Sequence, residues 1–233
     1  MARPAAFSVT DWLEDRWFVR SHLLLRRLVG AVGLALPVLV VAFHWVWSLV
    51  VAGTGGPPAP GFWASVQSSI SGYYYTYSGN LFVGAQIAFA VFLVTYRYGE
   101  WERRVGTVAG IASAVVGLCP TTPADPTTLQ RIVGGVHLTA AAVFFAGMAV
   151  FCLVLFPRDP AVATNTVPPG RRRLFLACGV VIVVALLAAV VGGLVLDEAT
   201  RDAIRLLLWL ESVAVFAFAT AWLVKGQDLD SAA

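Results

Sequence analysis

Eight side chains in this otherwise apolar chain have types that could do chemistry. His44, His137 and Glu211 are ionisable residues set inside long apolar runs, and Gln86 and Ser113 are neutral polar members of two further runs. Ser69, Ser71 and Tyr74 belong to a polar-aromatic stretch, 68–80 (SSISGYYYTYSGN), that leads into the second run. A carboxylate beside an imidazole can orient or charge a general base, as a Glu211–His137 pair would. A serine from the loop, or Ser113, would then complete a nucleophilic set. Two histidines and a carboxylate can also hold a metal through three protein ligands. No pair here has ligand spacing on one helix, so no metal site and no cofactor are expected. The plainer role for the same residues is to hydrogen-bond across helices and fix a bundle. The sequence leaves both roles open, with His137 and Glu211 as the catalytic candidates.

The elements that must position these residues are membrane spans. Of 233 residues 59% are hydrophobic and only 12% charged, about half the charge of a soluble domain. With several long apolar runs, this makes the chain an integral membrane protein with no room for a sizeable soluble domain. The net charge of +3 does not point to nucleic acid, because the basic residues sit in short loops between apolar runs. Cys119, Cys152 and Cys178 form no CxxC pair, which argues against structural zinc.

The expected fold class is all-α, an integral membrane six-helix bundle forming one domain over 28–225. The spans fall at about 28–51, 81–96, 105–120, 132–156, 174–196 and 204–224. An amphipathic leader, 1–27, precedes them; Ser8 or Thr10 could cap a helix there, and Trp12 and Phe18 suit the headgroup layer. A polar tail, 226–233, follows. The first apolar run is too long for a secretory signal and reads as a retained span. Spans two and three are shorter than the ~20 residues a crossing needs, so a re-entrant hairpin is the alternative there. Gly106, Gly110 and Gly117 give span three a small-residue face, which suggests a place at the bundle centre.

Thirteen of the 16 Lys and Arg residues lie in the leader, the 97–104 turn, the 158–173 loop and the C-terminal end from Lys225. Positive charge marks cytoplasmic loops, so both termini are expected in the cytoplasm, the chain in the cell's inner (cytoplasmic) membrane, and 68–80 on the outer side. His44, His137 and Glu211 then each sit about 10 Å below the outer boundary at ~1.5 Å per residue, with Gln86 and Ser113 at a similar depth. The reading is a polar pocket lined by His44, Gln86, Ser113, His137 and Glu211 and lidded by the loop with Ser69, Ser71 and Tyr74. The expected ligands and partners are membrane lipids of the outer leaflet, with no nucleic acid. A membrane-embedded hydrolase or transferase acting on a lipid-linked substrate is the first alternative, and a small-solute transporter the second.

Several of these residues also form a recognisable order. Ile70-Ser71 stands in the outer loop after span one, Cys119-Pro120 ends span three, His137 opens span four ahead of 140–145, and Glu211 lies early in span six. This order resembles a group of bacterial six-span proteins classed under a domain of unknown function. More distantly it resembles the eukaryotic damage-regulated autophagy modulator (DRAM) family, whose relatives act in GPI-anchor lipid remodelling and plasma-membrane lipid organisation. The resemblance runs from span one to span six and implies a six-span fold, with parts for Ile70, Ser71, Pro120, His137 and Glu211. The relatives usually continue Ile-Ser with Asp. Gly72 stands there in this chain, so no role resting on that acid carries over.

Overall fold

The structure is a computed structural model that describes residues 9–96, 99–158 and 167–226, with side chains from residue 27 onward. The expected Ser8 cap, the leader side chains, the first part of the charged turn at 97–98 and the tail from 227 lie outside the described residues. So does the 159–166 part of the inner loop.

All the regular elements among the described residues are helical. They are α1 (Val9–Gly53), α2 (Phe62–Ser65), a 3-10 turn (Ser71–Tyr75), α3 (Gly79–Thr95) and α4 (Glu100–Leu118). Then come α5 (Thr128–Val150), α6 (Pro169–Val195), α7 (Glu198–Ala203) and α8 (Leu206–Gly226). A π turn (Phe151–Leu155) and a 3-10 turn (Phe156–Arg158) prolong α5. Four segments are long and apolar enough to cross a membrane: Arg27–Gly53, Thr128–Arg158, Pro169–Val195 and Leu206–Gly226. The chain is therefore built as a multi-pass membrane protein. The apolar α3 is shorter, with 17 residues, and α4 opens on Glu100, Glu102, Arg103 and Arg104.

Local chemistry sets the helix ends. Thr127 accepts from the Gln130 N–H at 3.3 Å while the Gln130 side chain accepts from the Thr127 N–H at 2.8 Å. This capping box starts α5 four residues ahead of the apolar run that marks it in sequence. Pro169, whose missing N–H costs nothing in a first turn, likewise starts α6 before 174. The leader and first span, read from sequence as separate pieces, form one continuous helix, α1, because neither Gly nor Pro interrupts 9–29.

The long helices pack as a closed ring: α1, α3, α4, α5, α6 and α8 are neighbours in that order, and α8 returns to α1. At the end where α3 and α8 finish, Trp222 sits among aromatic rings. Its ring centroid is 4.9 Å from Tyr96, 5.1 Å from Phe218, 5.3 Å from Phe156 and 5.4 Å from Phe151 and Phe92. Contacts of this kind contribute about 0.5–1.5 kcal/mol each beyond area burial.

The small face of α4 is used, but against α3 rather than at the centre. A Cβ on Gly106 would lie 2.6 Å from the Leu93 carbonyl oxygen, and one on Gly110 2.8 Å from that of Ala90. The expected central position for this helix is therefore corrected to a place in the ring. Only one of its faces is small, and the other presents Val108, Ile111 and Leu118 outward.

Gly110→Ala tests this contact, with Gly84→Ala as control because nothing lies within 4 Å of a Cβ there. Both gain about 0.8–1 kcal/mol of helix propensity. Gly110→Ala is expected to lose about 1–3 kcal/mol through forced separation of two backbones. Thermal unfolding in detergent should show Gly84→Ala at or above the wild-type Tm and Gly110→Ala below it.

Candidate functional site

The 54–78 segment crosses the end of an apolar bundle with no regular structure beyond the short α2 and the 3-10 turn. Pro57, Pro58 and Pro60 deny it a helix, and Gly55 turns the chain at φ 89°. It is anchored by side chains that go inward. Ile70 and Tyr73 are buried in the core, and the Tyr73 hydroxyl accepts from the Gln67 N–H at 3.3 Å. Burial pushes the Tyr73 phenol above its ordinary pKa. Ser69 and Ser71 share a hydrogen bond at 3.1 Å, and the Ser69 hydroxyl also accepts from the Gly72 N–H at 2.9 Å. A Cβ at position 72 would lie 3.2 Å from that hydroxyl oxygen, so a larger residue there would press on the turn. Ser78 closes the segment by donating to the Val40 carbonyl of α1 at 2.6 Å.

Glu211, one turn into α8, is partly buried, and its carboxylate accepts from the Ile70 N–H at 2.6 Å. Two residues before Ile70, the Ser68 carbonyl accepts from the Leu208 N–H at 2.8 Å. Leu208 lies in the first turn of α8, where backbone N–H groups have no partner within the helix. Loop and helix thus exchange one hydrogen bond in each direction.

His137, buried on α5, meets the Cys119 carbonyl through Nδ1 at 2.7 Å. A carbonyl only accepts, so Nδ1 carries the proton and the neutral ring keeps its lone pair on Nε2. The contact ties α5 to the end of α4, just before Pro120. Tyr75 reinforces it from outside by donating to the Thr121 carbonyl at 2.7 Å. Between α3 and α4 the Ser113 hydroxyl reaches both the backbone carbonyl and the side-chain Oε1 of Gln86, each at 2.9 Å.

Gln86, His137, Glu211 and Ser71 line one cavity, walled by Leu36, Phe82, Phe89, Phe144 and other apolar side chains. Its volume is about 30 Å³, room for one or two waters and far below the ~300–1,000 Å³ of a small-molecule pocket. The remaining expected pocket residues lie elsewhere. Ser113 bonds to Gln86 but does not line the cavity. Ser69 is held in its turn, outside the lining. Tyr74 faces a separate cleft of about 430 Å³ with Thr76, Tyr77, Gly79, Asn80 and Val83. His44 packs against Tyr73 and Tyr77, at ring distances of 5.9 and 5.7 Å, and its buried Nδ1 has no partner among the described residues. Leu36 is the α1 residue that reaches the cavity, and His44 lies eight residues further along the helix, about 12 Å away.

The arrangement suits holding more than turnover. Both ionisable residues take backbone partners, and the nearest loop hydroxyls bond to each other. Among the described residues no three His, Cys, Asp or Glu side chains converge on a metal position. The Ile70 amide, the Ser68 carbonyl and the Cys119 carbonyl are the site groups that sequence reasoning missed. Every residue carries such groups, so no residue type signals them.

Glu211→Ala leaves the Ile70 amide without its acceptor and is expected to destabilise the protein by about 1.5–3 kcal/mol, as for hydrogen bonds to charged groups. Glu211→Gln keeps an acceptor oxygen and should lose less. Hydrogen exchange over 66–75 checks the cause. That segment should lose protection in Glu211→Ala before the α3–α4 pair does.

Comparison of the chain with protein-family models, with curated proteins and with solved structures gives no match in any of the three.

Proposed function

We propose that this is a six-span protein of the cytoplasmic membrane, with both termini in the cytoplasm, that binds and organises lipid at the outer leaflet without catalysing a reaction. In this reading α3 and α4 are the two further spans, short but flanked by aromatic residues that extend them into the interface. The Lys and Arg distribution supports the orientation. The observation that carries the lipid reading is a contrast between two spaces. The cavity beneath the loop has about 30 Å³, room for at most two waters, whereas the cleft on its outer side has about 430 Å³. Tyr74, Tyr77 and Asn80 offer that cleft hydroxyl and amide groups above the apolar Val83. A headgroup can lie against the polar rim while its chains follow α3. The lipid contact is thus placed on the loop's outer face rather than in a pocket below it.

The family resemblance is retained as a proposal of distant kinship. It is supported by where its residues fall. Ile70 bonds to Glu211, Ser71 adjoins that contact, and His137 bonds to the carbonyl preceding Pro120. A hydrolase reading would need a hydroxyl within reach of the His137 Nε2, and transport would need a polar path beyond this small cavity.

Native mass spectrometry of the protein purified from membranes tests the lipid reading. Tyr77→Ala with Asn80→Ala should lower retained lipid several-fold without lowering Tm, because both side chains are exposed. Unchanged retention would remove the cleft as a lipid site. Orientation is checked separately with Ala59→Cys in a Cys119→Ser background. A membrane-impermeant maleimide should label right-side-out vesicles, and labelling of inverted vesicles alone would reverse the topology.

A further inference from the structure

The opposite end of the bundle carries a second space that the loop and its polar network do not touch. It has a volume of about 510 Å³ and lies between the start of α4 and the end of α5. Trp101, Glu102 and Val105 form one wall, with Val154, Leu155 and Arg158 on the other. The π turn at Phe151–Leu155 shapes it. Phe151 and Cys152 stay fully buried in the core while the wider turn sets Val154 and Leu155 along the groove.

The charges in this groove are the unusual part. Glu102 is 9% exposed overall, lies in the first turn of α4 with its Oε2 turned back toward Gly99, and forms no ion pair among the described residues. The local cations are engaged elsewhere: Glu100 takes Arg103 at 2.7 Å and Arg104 at 2.9 Å. Arg158, exposed on the far wall, likewise meets no carboxylate among the described residues. Glu102 and Arg158 thus face one cavity without pairing with each other. A buried acid and a cation held apart over an apolar floor complement a zwitterion. Trp101, 66% exposed at the rim with Arg104 5.5 Å over its ring, suits the headgroup layer.

We propose that this groove binds an aminophospholipid, one whose headgroup joins a phosphate to a primary ammonium. The phosphate meets Arg158, the ammonium donates to Glu102, and an acyl chain lies along Val105, Val154 and Leu155. A quaternary choline has no N–H to donate to the carboxylate, and a glycerol headgroup has no positive charge, so both are bound less well. The site lies in the leaflet opposite the 68–71 loop, whichever side that loop faces, and does not rest on the proposal for the outer cleft.

The test is native mass spectrometry of the full-length protein exchanged into phosphatidylethanolamine, phosphatidylcholine or phosphatidylglycerol of identical acyl chains. Wild type should retain phosphatidylethanolamine about tenfold better than the other two, the value of one charge-assisted hydrogen bond. Glu102→Gln should abolish that preference while keeping phosphatidylglycerol, whereas Arg158→Gln should weaken all three lipids, since each carries the phosphate. A misfolded Glu102→Gln protein cannot produce its result, because it would lose phosphatidylglycerol as well. Equal retention of the three lipids by wild type, an unchanged preference in Glu102→Gln, or parallel loss of every lipid in both variants overturns the proposal. The Tyr77→Ala, Asn80→Ala protein should keep the preference, which separates this groove from the outer cleft.

Discussion

The loop-covered end of the bundle depends on how a largely irregular segment of backbone satisfies its polar groups against an apolar helix end. An amide under the loop is part-buried, and an unmet one costs several kcal/mol in apolar surroundings. The Glu211 carboxylate meets the Ile70 amide, and the Ser68 carbonyl meets an α8 amide that the helix cannot satisfy. With this segment held down, Ile70 and Tyr73 can fill the core beneath it. Glu211 is in this view an acceptor for backbone.

The same solution recurs around the ring. His137 serves the Cys119 carbonyl at the end of α4, Ser113 the Gln86 carbonyl, and Ser78 the Val40 carbonyl of α1. Each is a side chain meeting main chain at a place where two helices, or a helix and a loop, come together. Between these ties the helices are held by close packing of small residues and, at the far end, by aromatic rings around Trp222. Polar bonds thus specify the loop-covered end, and packing specifies the other.

The apolar runs, their breaks and the common depth of His137, Glu211, Gln86 and Ser113 were legible in the sequence, because hydropathy and a rise per residue determine them. Where each side chain comes to lie was not. His44 packs against Tyr73 and Tyr77, about two helical turns along α1 from Leu36, which reaches the cavity. Nor could the sequence show that Glu211 and His137 would choose backbone partners over each other. The glycines of α4 announced close packing without naming α3 as the neighbour. Glu102 was hidden in a turn read only as charged; its separation from Glu100 becomes visible when the two acids diverge around the helix, one to arginines and one to a groove.

The closed ring has a bearing on how the chain is assembled. From α3 to α6 each helix packs against the one made just before it, so these contacts are local and form quickly. The contact of α8 with α1, and the bond from Glu211 to a loop 141 residues earlier, must wait until α8 has been made. Until then the 66–75 segment lacks its partners on α8. A chain truncated before α8 would leave them unmet continuously, so arrival of α8 and closure of the loop-covered face are a single event.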